Sequence, residues 1–288
     1  MIIRNILFPT DFSERDKLTE AYVWRFFRNF SAHITVLHVI DQSEPYPCAG
    51  GEFDERPCTK QLHETANARL AEVLPGLAAD RVVLFGDIGT GIADCAEESG
   101  ADLIMIPLHA RPPLRRIFHD SVAAGVLDDE RWRVWTTSRD SEGPGQEHVA
   151  LQRITCIVSP ESSSRAVECA GELAGIFHAT LSLGYAAIET PGPAERMLEW
   201  FGAHGCRPES GAHRIDRAVH AIRRQFEARF KLHVVECGAP SAAIAAIARR
   251  ADADLIVVGR TEAERLGSPL HSPLYSIVRD APCPVMVV

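Results

Sequence analysis

Short apolar runs alternate with longer mixed segments along this chain, and the whole alternation occurs twice. In the first half the runs are Ile3–Pro9, Ile34–Ile40, Arg81–Phe85, Asp102–Pro107 and Arg133–Thr136. In the second they are Ile154–Val158, Thr180–Ala186, Leu232–Glu236, Asp254–Gly259 and Pro284–Val288. Most are Val, Ile and Leu without a polar residue at every other position, the pattern of strands buried on both faces of a parallel sheet. The intervening segments predict helices at Ser13–Phe30, Thr59–Ala79, Thr90–Ser99 and Ser121–Asp129, then at Ser164–Phe177, Ala212–Phe230, Ser241–Arg250 and Ser272–Asp280. Strand alternating with helix through right-handed crossovers predicts α/β architecture: two tandem, doubly wound, parallel five-stranded sheets with helices on both faces.

The halves also share residues. Gly86, Ile92, Ala96 and Ala101-Asp102-Leu103-Ile104 recur as Gly238, Ile244, Ala248 and Ala253-Asp254-Leu255-Ile256, at a constant offset of 152 residues. Solenoid repeats run roughly 20–50 residues, so this period is a whole domain. Domains of residues 1–138 and 153–288 are therefore expected, joined by a linker at 139–152 that is polar and contains Gly and Pro. Two long insertions, Asp41–Cys58 and Glu189–Gly211, follow the second strand of each half. Ligands of open α/β sheets bind at the carboxyl ends of strands, so each insertion is either a cover over a site or a variable surface loop. The closing strands differ. The Val-Met-Val-Val ending is apolar, whereas Trp132-Arg133-Val134-Trp135-Thr136 alternates and predicts one wet face. The two fifth strands are expected to meet across an internal pseudo-two-fold axis.

Composition narrows the function classes. The 288 residues are 46% hydrophobic and carry a net charge of −9, which argues against a nucleic-acid-binding surface. The opening Met1–Phe8 lacks the apolar stretch of a signal peptide and no segment reaches a membrane span, so a cytoplasmic protein is expected. Cys95, Cys156, Cys169, Cys237 and Cys283 fall in apolar segments, where a reduced thiol acts as a small hydrophobe. With no C-x-x-C pair, a structural zinc or redox motif has little support. His109, His119 and His271 have no second ligand at helical spacing and read as surface or packing residues. No Ser/His/Asp or paired-carboxylate arrangement points to a catalytic centre, so an enzyme is not expected.

Three segments carry what chemistry there is. In Pro9-Thr10-Asp11-Phe12-Ser13-Glu14, at the end of the first strand, Asp11 either accepts a hydrogen bond from a base or ribose or caps a helix opened by Ser13. The second half has Ser159-Pro160-Glu161 there, with no Asp at the matching place. Gly86-Asp87-Ile88-Gly89-Thr90-Gly91 fits neither a dinucleotide fingerprint nor a P-loop, and reads as a turn plus helix cap. The third segment runs from Ala253-Asp254-Leu255-Ile256-Val257-Val258-Gly259-Arg260 through His271-Ser272 to Ala281-Pro282-Cys283-Pro284-Val285.

Together, the first and third segments resemble the universal stress protein family in its tandem, two-domain form. The resemblance implies a sheet of the adenine-nucleotide alpha-hydrolase type, pairing through the last strand, and ATP binding in a subgroup. That subgroup wraps phosphates with Gly-x-x-Gly, about nine residues, then Gly-Ser/Thr, since glycines let backbone amides approach an anion. This chain departs from the pattern in both copies. The second keeps Gly259 but has Glu262 and His271 in place of the later glycines; the first has Pro107, Ala110 and Asp120-Ser121. The residues left for degenerate nucleotide sites are Thr10, Asp11 and Ser121 in the first half, and Gly259, Arg260 and Ser272 in the second. Arg111, Arg115, Arg116 and Arg265 lie nearby, as anion contacts or as a solvated basic face. The expectation is a regulatory or interaction module with weak or no ATP binding and protein partners; the alternative is an AMP or ATP sensor with at most slow hydrolysis. An internal pseudo-dimer, open to further homodimerisation, is the expected assembly.

Overall fold

The computed structural model describes residues 3–14, 16–41, 59–107, 125–137, 149, 151–160, 164–188, 211–225, 230–237, 239–266 and 273–288. The chain divides between Ala150 and Leu151 into two compact units. The first runs β1 (Asn5–Pro9), α1 (Asp16–Phe30), β2 (His33–Ile40), α2 (Thr59–Leu70), β3 (Asp80–Phe85), α3 (Ile88–Glu98), β4 (Leu103–Pro107) and β5 (Arg133–Thr137). The second runs β6 (Arg153–Ile157), α4 (Ser164–Phe177), β7 (Thr180–Ile188), α5 (Gly211–Gln225), β8 (Lys231–Cys237), α6 (Pro240–Ala251), β9 (Leu255–Val258), α7 (Arg260–Leu266), α8 (Pro273–Asp280) and β10 (Val285–Val287). The two insertions, Asp41–Cys58 and Glu189–Gly211, lie almost wholly outside the described residues, as does nearly all of the linker.

Within the first unit the strand order is β3-β2-β1-β4-β5, and within the second β10-β9-β6-β7-β8. The pairings β1–β2, β1–β4, β2–β3 and β4–β5 are parallel, and so are β6–β7, β6–β9 and β7–β8. The order reverses beside the first strand of each unit, so right-handed crossovers send helices to both faces. This switch point is where the carboxyl ends of β1 and β4, or of β6 and β9, splay apart.

The repeated Asp has a structural task. Asp102 Oδ2 accepts the backbone N–H groups of Arg4 (2.7 Å) and Asn5 (3.0 Å), tying the start of β4 to the start of β1. Asp254 Oδ2 does the same for Gln152 (2.9 Å) and Arg153 (3.0 Å). These are the otherwise orphaned donors at a strand entrance, which explains why the carboxylate recurs with the sheet. Asp87 likewise serves structure, as the N-cap of α3, accepting from Thr90 N at 2.8 Å and Thr90 Oγ1 at 2.9 Å.

Three expectations need correction. The segment Thr59–Ala79 is helical only to Leu70, because Pro75 and Gly76 (φ +81°) cannot continue it. β5 has no wet face: Val134 and Trp135 are fully buried, and Thr136 and Thr137 are 2% and 4% exposed. Thr137 Oγ1 meets Thr19 Oγ1 of α1 at 3.1 Å, so the polar alternation marks an internal hydrogen bond rather than solvent. Finally, the stretch after β9, where the sequence pattern placed no helix, winds into α7, whose Thr-Glu-Ala-Glu-Arg-Leu is rich in helix formers.

Close packing in the second unit can be tested at Gly184 of β7. A Cβ there would lie 2.5 Å from Ile247 Cγ2 on α6 and 3.0 Å from Ile157 Cδ1 on β6. Ile247 is β-branched and cannot swing its Cγ2 away cheaply. Gly184→Ala is therefore expected to destabilise the second unit by about 1–3 kcal/mol, read as an earlier urea transition. An unshifted midpoint would show that α6 rides loosely on the sheet.

Candidate functional site

At the carboxyl end of β1 the chain makes a turn held by Thr10. Its N–H donates to Leu37 O of β2 at 2.8 Å, and its Oγ1 accepts from Phe12 N at 3.0 Å while donating to Asp16 Oδ2 at the start of α1. Asp11 Oδ1 accepts Ser13 N at 2.9 Å, an Asx turn. The helix begins only at Asp16, so neither Asp11 nor Ser13 caps it directly. Phe12 takes a φ of +62°, in the left-handed region that a bulky residue rarely adopts.

Around this turn sit groups the sequence did not advertise. The Phe12 ring packs on His38 of β2 (4.3 Å between centroids) and beneath the Arg69 guanidinium of α2 (4.2 Å). His38 Nδ1–H donates to Thr10 O at 2.9 Å, and burial holds the imidazole below its ordinary pKa, so it stays neutral. Asp16 is 1% exposed; its Oδ1 is buried without a hydrogen-bond partner. Burial, reinforced by Asp11, raises its pKa to about 7 against the opposing Thr10 hydrogen bond. Glu20, also buried, is matched by Lys17 Nζ at 3.0 Å and Leu74 N at 3.3 Å. Buried acids at the first turns of an amphipathic helix look like ordinary N-terminal charges in sequence. Their spacing on the core-facing side was the available signal.

The second unit's register identifies the counterparts. Val158 N donates to Gly184 O at 2.8 Å, as Thr10 N does to Leu37 O, so Val158 stands for Thr10 and Ser159 for Asp11. Hydroxyl and carboxylate are both lost there. At the end of β9, Gly259 precedes α7, and Glu262 folds back onto it: a Cβ on Gly259 would lie 1.9 Å from Glu262 Oε2. Glu262 is 2% exposed, with Oε1 buried and unpartnered. Arg260 is buried as well. Pro107, which holds the place of Gly259 in the first unit, ends β4 with no N–H to donate.

The six candidate residues thus separate. Thr10 and Asp11 sit together in the first unit and Gly259 and Arg260 in the second; Ser121 and Ser272 lie outside the described residues, as do His109, His119, His271, Arg111, Arg115 and Arg116. Chemically, the β1 end presents a half-exposed carboxylate beside an aromatic ring and a guanidinium, suited to hydrogen-bonding and stacking a planar polar ligand. Among the described residues, no group of three His, Cys, Asp or Glu could hold a metal ion, and no helix is long and apolar enough to cross a membrane. Cys95, Cys156, Cys169 and Cys283 are buried and form no disulfide, and burial pushes the Cys95 thiol to about 11 and that of Cys283 to about 12. They are packing groups rather than nucleophiles.

Comparison with known proteins agrees with this architecture. The model of the universal stress protein family matches twice, over residues 3–135 and 150–288. Universal stress protein MJ0577 of Methanocaldococcus jannaschii is 26% identical over 147 residues, covering 44% of this chain and 90% of that protein. The crystal structure of a universal stress protein from Archaeoglobus fulgidus aligns with a TM-score of 0.62 at 22% identity, covering 98% of this chain and 95% of its own. A functionally unknown protein from Pseudomonas aeruginosa PAO1 gives 0.61 at 17% identity, covering 99% and 92%. At such identities the structural likeness speaks for the fold.

Proposed function

The chain belongs to the universal stress protein family, and from that premise we propose that it is a regulatory or interaction module of the stress response that binds ATP weakly or not at all. The observation that carries this reading is Glu262. Its carboxyl group occupies the space over Gly259 that a phosphate would need in order to reach the backbone. A triphosphate brought there would meet a buried acid where a phosphate loop offers amide donors, and repulsion between like charges grows as water is excluded. Pro107 supports the same reading for the first unit, because its missing N–H removes a donor at the matching strand end.

Isothermal titration with ATP and Mg²⁺ tests it. No saturable heat below the millimolar range is expected; a micromolar Kd overturns the reading. The second reading, an AMP or ATP sensor in the first unit, draws on the half-exposed Asp11 beside Phe12 and Arg69. AMP needs little of a phosphate loop. Its signature is an AMP-induced rise in Tm that Asp11→Ala abolishes.

A further inference from the structure

The outer face of α1 borders a groove of about 570 Å³ that the turn after β1 does not use. Its wall is a double row one helical turn apart, Trp24 with Arg25 and Arg28 with Asn29; Pro75, from the segment after α2, and Val149 close it. Trp24 lies about 12 Å along the helix axis from Asp16, at the usual rise of roughly 1.5 Å per residue.

The groove is built as well as open. Arg25 is pinned, its Nη1 donating to Val149 O at 2.6 Å. The Arg28 guanidinium stands 5.4 Å from the centre of the Trp24 ring, and Phe27 supports that ring edge-on at 5.9 Å. Glu20, the one acid in the lining, is already engaged by Lys17 at 3.0 Å and Leu74 N at 3.3 Å. Two arginines and an asparagine therefore line the space beside a half-buried indole, in a chain whose net charge is −9. Small-molecule sites of roughly 300–1,000 Å³ combine an aromatic or apolar wall with a few placed polar groups.

We propose that this groove is a binding site for an aromatic carboxylate, its ring laid against Trp24 and its carboxylate taken by Arg28 with Arg25. A guanidinium accommodates a carboxylate through paired N–H donors, and the Trp face keeps that guanidinium oriented. The site is independent of nucleotide binding at either strand end.

The test is titration with 1-naphthoate, with neutral 1-naphthamide and inorganic phosphate as comparisons, followed by calorimetry and ligand-observed NMR. Naphthoate is expected to bind with a submillimolar Kd and the amide about ten-fold more weakly, the cost of one lost charge-assisted contact. Arg28→Gln and Trp24→Ala should each weaken naphthoate about ten-fold or more while leaving Tm within a few degrees, since Arg28 is exposed and Trp24 is only half-buried. Phosphate alone should bind far more weakly than naphthoate, having no ring to stack. No saturable binding of naphthoate up to several millimolar overturns the proposal. So does equal affinity for acid and amide, or binding that both variants leave unchanged.

Discussion

Asp16→Asn is expected to stabilise the first unit strongly at pH 8 and by less than half as much at pH 5. Asp16 is buried at the first residue of α1, with one carboxyl oxygen held by Thr10 and the other buried without a hydrogen-bond partner. Its folded pKa is raised from 3.8 to about 7, first by burial and then by Asp11, with Glu20 adding a smaller push. The folded state therefore keeps a proton that the unfolded chain releases between these values. Stability from this group is fully present below pH 3.8 and falls as pH rises, with the loss complete above pH 7. Asparagine mimics the protonated acid at every pH, so its advantage opens across that same window. A shift of this size corresponds to between about 2 and 4 kcal/mol at pH 8. Urea unfolding of both proteins at pH 5 and pH 8 reads it directly; parallel stabilities would mean that Asp16 is solvated or paired.

The same residue shows where the sequence stopped being informative. Strands of both halves were legible because burial on two faces leaves an unbroken apolar signature; Ile34–Ile40 is read within one residue of the observed His33–Ile40. The repeat was legible because Asp102 and Asp254 perform one backbone-clamping task in two copies. What could not be read was which polar residues would be drawn inward. Asp16, Glu20 and Glu262 look like surface charges at helix starts, and their burial depends on the neighbours that tertiary folding brings. Thr10, Leu74 and Gly259 are those neighbours; Thr10 and Gly259 lie near in sequence, whereas Leu74 is 54 residues from Glu20. The β5 alternation misled for a related reason: a threonine facing another threonine across a core is polar in sequence and dry in space. The degenerate glycine pattern was visible, but that Glu262 fills the vacated space is a fact of α7's helical turn. Three positions apart, Gly259 and Glu262 meet only if the chain winds.

Trp135 sets the other large effect. It is fully buried on β5, its ring 4.9 Å from Tyr22 and 5.1 Å from Phe26 of α1, with Phe30 stacked 5.4 Å beyond Phe26. This aromatic row fastens α1, and with it the Asp16 turn and the Trp24 groove, to the sheet. Trp135→Ala should cost about 3–5 kcal/mol, because it removes a large buried side chain and leaves a cavity that rigid rings cannot close. Trp135→Phe should cost much less. The indole Nε1–H is buried without a hydrogen-bond partner, and phenylalanine discards that donor, whose burial carries a penalty of about 1–3 kcal/mol, while keeping most of the ring contact. Hydrogen exchange during urea unfolding can follow amides of β1 to β5 separately from those of β6 to β10. The alanine variant should lose protection first in the former set, at lower urea than the parent. A loss under about 1 kcal/mol in Trp135→Ala, or a phenylalanine variant as unstable as the alanine one, would show that the row does not secure α1.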